Sequence, residues 1–146
     1  MFHFPVDAPQ THLKANSDLL GKPIEIVTED HSVVELKTCE EMVVDEKGLI
    51  HGGFIFGLAD YAAMLAVNHP YVVLKKAEVK FIRPVKVGST LLAEAKVVAR
   101  TLNTKGREER LVEAIVKRKE DGVRVFEGKF TCVILPKHVL DLVKEK

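Results

Sequence analysis

One carboxylate lies inside the most apolar stretch of the chain, and its setting is the first candidate for chemistry. Across residues 54–67 every side chain is apolar or small except Asp60 and the hydroxyl of Tyr61. An ionised carboxylate there is costly unless hydrogen bonds or a cation compensate it, and Asp is a mediocre helix former. Two readings compete. In the structural one Asp60 caps a neighbouring turn or pairs with a Lys; in the functional one it is a base or nucleophile kept despite its cost. Nine residues upstream stands His51-Gly52-Gly53. At a helix start the first N–H groups lack partners and the dipole is positive, which suits a carbonyl or oxyanion. Gly52 and Gly53 would let a ligand approach the backbone closely, although two glycines before a helix also make an ordinary tight turn. His51 reads first as the residue that orients this turn through a hydrogen bond, and second as a substrate contact. His51 and Asp60 are about two and a half turns apart. A reaction using both ends therefore needs a long substrate or a second subunit.

The element that must position these groups is a helix over residues 51–68 with no face that prefers water. Its apolar run, residues 54–67, is roughly 21 Å long and too short for a bilayer, so protein must wrap it, and a strongly curved sheet would serve. On a helical wheel Ile55, Leu58, Ala62 and Leu65 lie opposite Asp60, and small residues share its side. The flanking pattern predicts a short helix at 11–20 stopped by Gly21 and Pro23, then a hairpin of strands at 24–27 and 32–39. After a loop and the long helix come strands at 71–83, 90–102, 107–118 and 123–135, the last two joined through Asp121-Gly122. Residues 138–144 form a terminal helix or a frayed tail. Leu91, Ala93, Ala95, Val97 and Ala99 make a face small enough for a helix to lie close. The expectation is an α+β chain, with two strands, one buried helix and four meandering strands in one domain over residues 1–146.

Composition narrows the function classes. Lys and Arg total 22 against 21 Asp and Glu, a formal charge of +1, so no basic field favours nucleic acid. Cys39 and Cys132 are far apart in strand-like contexts without a CxxC partner; they read as buried free thiols, which fits a reducing cytoplasm, and no metal site is expected. The first residues carry no basic, apolar leader, and no stretch reaches transmembrane length. One Gln and three Asn among abundant Lys, Glu and Val match the bias of hyperthermophile proteins.

His51-Gly52-Gly53-Phe54, Leu58-Ala59-Asp60, Ala63, Ala66 and Asn68, followed by Val79-Lys80-Phe81-Ile82-Arg83-Pro84 and Val87-Gly88, resemble the acyl-CoA thioesterases of the hotdog superfamily, particularly the phenylacetate-pathway type. The resemblance implies the hotdog fold, a curved antiparallel sheet wrapped around one long central helix, and hydrolysis of an acyl-CoA to free acid and CoA. It implies that the Gly52 N–H polarises the thioester carbonyl, and that Asp60 activates water or attacks the carbonyl itself. It also implies that the two come from different subunits of a homodimer or a dimer of dimers, and that no cofactor is needed beyond the coenzyme A of the substrate. Gly53, Phe54 and Tyr61 would line the substrate site, with Phe56 and Met64 setting its depth, and Lys75, Lys76 and Arg83 could hold the CoA phosphates. Two positions depart from the pattern. Asp45 stands where many relatives carry Asn, and Leu74-Lys75-Lys76-Ala77 stands where some carry a water-positioning Ser or Thr. The alternative function is a non-catalytic acyl-CoA sensor of the same fold, against which the retained Asp60 counts, since a sensor has no use for a costly carboxylate beside the thioester.

Overall fold

The computed structural model describes residues 7–143, so the reading of the first six residues and of residue 144 lies outside it. The organising helix, α2 (Gly52–Val67), forms where its sequence places it. His51 enters in extended conformation and its side chain caps the start; Asn68 closes the other end in the left-handed region, at φ 54°, which Asn tolerates better than most residues. The Asn68 side chain accepts from Gln10 N and donates to Ala8 O and Thr28 Oγ1, so this buried amide is well satisfied.

Six antiparallel strands wrap α2: β1 (Lys22–Val27), β2 (His31–Lys37), β3 (Val72–Phe81), β4 (Thr90–Leu102), β5 (Glu108–Arg118) and β6 (Arg124–Ile134), in the spatial order β1-β2-β4-β5-β6-β3. The expected meander holds for β4, β5 and β6 only. α2 carries the chain across the concave face, and β3 then pairs with β6 at the far edge, Val79 opposite Gly128 and Phe81 opposite Phe126. An irregularity between Leu74 and Lys76 breaks the alternation expected along 71–83. Leu74, Ala77 and Val79 therefore pack on the core and Lys75 is exposed, not in line with Ala77. Ile55, Leu58, Ala62 and Leu65 are buried in one core with the small residues Ala93 and Ala95 of the sheet face. Ser32 Oγ of β2 donates to Ala62 O at 2.5 Å, fixing the middle of the helix to the sheet.

The amino-terminal arm differs most from expectation. Of residues 11–20 only α1 (Ser17–Leu20) is helical. His12 adopts a left-handed φ of 56° and shares a hydrogen bond with the buried Thr11 hydroxyl, so no helix can propagate there. Gly21, at φ 103°, ends α1, whereas Pro23 lies inside β1, where an edge strand accepts it. A last short helix, α3 (Val139–Leu142), occupies part of the expected tail. No helix among the described residues is long and apolar enough to cross a membrane.

An ion pair with a buried arginine and a half-buried glutamate ties the β1–β2 turn to the sheet. Arg110 is 6% exposed and grips Glu29 through both carboxylate oxygens, at 2.8 and 2.9 Å. Removing the partner of a buried charge is costly even when the pair itself adds little. Glu29→Ala is expected to lower stability by about 2 kcal/mol, with Glu108 compensating in part, and urea unfolding measures it.

Candidate active site

Asp60 projects from the middle of α2, and nothing among the described residues satisfies it. Its Oδ1 is fully buried without a hydrogen-bond partner. Burial alone pushes the carboxyl up from the usual 3.8 to about 6. No turn N–H or Lys is in place to support the structural reading. Cys132, on the inner face of β6, faces the same region: burial, and then the negative charge of Asp60, push its thiol up to about 12, so it stays protonated. Its alternation was readable as strand, but its register against Asp60 depends on how α2 lies across the sheet.

The helix entrance separates its two glycine donors. Gly53 N donates to His51 Nδ1 at 2.7 Å, so this N–H is occupied, and a side chain at Gly53 would meet the imidazole. Gly52 N–H has no partner among the described residues. Phe81, 55% exposed at the end of β3, lies over Gly52, where a Cβ would come within 3.1 Å of its ring. Phe81 meets Phe126 edge to face with centroids 5.1 Å apart, and Phe56 packs on Phe130 at 5.7 Å. These rings form one apolar cluster that runs from Phe81 over Gly52 into the core, where Phe126 and Phe130 are fully buried, a grouping that no local motif announces.

The remaining candidates are dispersed. Phe54 lies edge-on to His51. Tyr61 is buried one position beyond Asp60 and turns to His12, its ring centroid 6.2 Å away; burial raises its phenol. Lys75 pairs with Glu109 at 2.9 Å and Lys76 with Glu78 at 3.1 Å, whereas the exposed Arg83 has no ion pair among the described residues. Asp45 Oδ1 accepts from Lys47 N and Leu49 N, so it folds its own loop. No three His, Cys, Asp or Glu side chains among the described residues are gathered as a metal site.

From Gly52, which lies beneath Phe81 of β3, to Asp60 the helix rises about 12 Å. β3 is the outer strand of the sheet there, with one row of backbone groups unpaired. One chain thus holds a free N–H and an unsatisfied acid too far apart to reach the same small group.

A model of the thioesterase superfamily matches residues 47–103. A solved protein of Pyrococcus horikoshii, PH1136, is 54% identical, with a TM-score of 0.84 over 95% of this chain and 100% of that one. The chain belongs to the thioesterase superfamily and has the hotdog fold. It is also 48% identical over 126 residues to a methylthioribose-1-phosphate isomerase of Aquifex aeolicus, and 28% identical over 116 residues to the transcription factor FapR of Shouchella clausii. It spans only 26% and 57% of the lengths of those two relatives, respectively. A hypothetical thioesterase of Streptococcus pneumoniae solved with coenzyme A shares the fold at 19% identity and a TM-score of 0.72, with 87% of this chain and 95% of that one covered.

Proposed function

We propose that the protein hydrolyses an acyl-CoA thioester, with the carbonyl oxygen held by the Gly52 N–H of one subunit and water activated by Asp60 of another. The observation that carries this reading is the buried, partnerless Oδ1 of Asp60, on a helix whose first glycine N–H is also free. A carboxyl with its pKa near 6 is ionised at neutral pH and still basic enough to take a proton. Attack by water on the carbonyl carbon passes one proton to Asp60 and places negative charge on the oxygen facing Gly52 N–H. Collapse of that intermediate breaks the C–S bond, and the proton returns from Asp60 to the CoA sulfur. Direct attack by Asp60 would give an anhydride instead, and a single turnover in labelled water separates the two routes by whether the label enters Asp60. Coenzyme A in the S. pneumoniae relative supports the substrate class, as superfamily membership supports the reaction class.

Pairing of two copies along the free edge of β3 would bring the Gly52 end of one helix near Asp60 of the other. The screen that tests the function is release of free thiol from short, long and aromatic acyl-CoAs. No release from any of them would favour the second reading, an acyl-CoA-binding domain without catalysis, to which the likeness to FapR lends support.

The phosphates of CoA need a cation that is not already engaged. Arg83 meets that condition, whereas Lys75 and Lys76 are paired with Glu109 and Glu78. Arg83→Glu is expected to raise KM for acyl-CoA several-fold while changing that for the acyl-pantetheine thioester little. Equal changes in the two would take Arg83 out of the phosphate site.

A further inference from the structure

Between α1 and the start of α2 the surface opens into a groove of about 570 Å³, lined by Asn16, Leu19, Leu20, His51, Gly53 and Phe54. Of its two polar side chains, Asn16 accepts from Asp18 N through Oδ1 and His51 accepts from Gly53 N through Nδ1. The rest of the wall is apolar: Leu19, Leu20 and Phe54, the last held edge-on by His51. The wall is built by a close approach of the arm to the helix, since a Cβ at Gly57 would lie 3.0 Å from Leu20 Cδ2. On α2 the lining runs from His51 to Phe54, and Leu20 closes on Gly57 one turn further along. The floor of the groove, His51 and Gly53, flanks Gly52 and its free N–H.

We propose that this groove receives the acyl chain of the thioester and that Leu19 and Leu20 favour acyl groups longer than acetyl. The assignment rests on the reading of Gly52 N–H as the donor to the thioester carbonyl. Of the two arms that leave that carbonyl, the pantetheine carries amides and a hydroxyl, to which the wall of Leu19, Leu20 and Phe54 offers no partner. An alkyl chain loses nothing there, and each methylene removed from water strengthens its hold about fourfold.

The test is a series of acetyl-, butanoyl-, hexanoyl- and octanoyl-CoA on wild type, Leu19→Trp, which fills the groove, and Leu19→Ala, which widens it, with melting curves to confirm folding. Thiol release gives kcat/KM for each chain length. Calorimetric binding to each form carrying Asp60→Asn gives affinities independent of turnover. Both measures are expected to rise about fourfold per methylene up to hexanoyl in wild type and to level off there, and the hexanoyl-to-acetyl ratio should fall at least tenfold in Leu19→Trp. Leu19→Ala should shift the preference towards octanoyl. If folded variants keep the wild-type chain-length profile, or if binding is independent of chain length in all three forms, the groove does not hold the acyl chain. Should no acyl-CoA be hydrolysed while length-dependent binding is seen and is abolished by Leu19→Trp, the hydrolytic reading fails and the groove assignment stands.

Discussion

Replacing Asp60 by Asn is expected to lower kcat for thioester hydrolysis by about 100-fold to 10,000-fold, and to leave the melting temperature at pH 7 unchanged or higher. The two effects share one cause: Oδ1 is buried without a partner, and burial raises the carboxyl from 3.8 to about 6. Because the folded pKa lies above the unfolded one, the folded state holds its proton more tightly. Below about pH 4 both states are protonated and there is no penalty. The penalty grows as pH rises from about 4 to about 6 and is constant above, where the shift corresponds to about 3 kcal/mol. Asparagine carries no charge to desolvate, so its advantage over wild type should be full at pH 7 and fade as pH falls towards 4. The same ionisation governs turnover: kcat/KM of wild type should rise with pH to a plateau above about 6 if the free protein titrates with that group. Melting curves and initial rates at matched pH values check both. A variant that melts several degrees lower while retaining turnover would make Asp60 a structural residue.

How much of this was legible in the sequence differs between its local and non-local parts. The buried helix was, because fourteen residues without a polar face admit few other placements, and its ends are marked by His51 and Asn68. The chain limits of β4 also follow from alternation alone. The neighbours of β3 were not, since alternation fixes which residues face inward but not which strand lies alongside, and here the helix carries the chain past three strands, β4, β5 and β6. Nor was the irregularity at Leu74 and Lys76, because Lys75 fits the period of Ala77, Val79 and Phe81 in the letters alone. The arm was misread as a longer helix: His12, left-handed and facing Tyr61, and the buried Thr11 depend on distant parts of the chain, whereas the Asn16 cap on Asp18 N is local. At the site, the acid and the glycine turn could be picked out by type. That Gly53 N–H is taken by His51 while Gly52 N–H is free required the geometry of the turn, and the nearness of Cys132 and the Phe81 cluster required the tertiary fold.

The second large effect expected is recovery of activity from two inactive variants. Gly52 is the first residue of α2 and Asp60 lies about 12 Å further along, so one helix cannot aim both at one carbonyl carbon. A two-fold pair offers each site a Gly52 from one subunit and an Asp60 from the other, because such contacts pair unlike residues reciprocally. Asp60→Ala removes the acid. Gly52→Pro removes only the donor: proline is favoured at the first helical position, and His51, at ψ 130°, already has the extended conformation that precedes proline. The exposed Phe81 ring must shift slightly to admit the new Cβ. Each variant alone should be folded, dimeric and inactive. When an equal mixture is unfolded and refolded, about half the dimers should be mixed, and in each of these one site combines Gly52 of the first variant with Asp60 of the second. The other site lacks both groups, so activity should return to about a quarter of the wild-type value per site. Native mass spectrometry counts the mixed dimers. Zero activity from a preparation shown to contain them would place donor and acid of each site on one chain, and the shared-site mechanism would have to be abandoned.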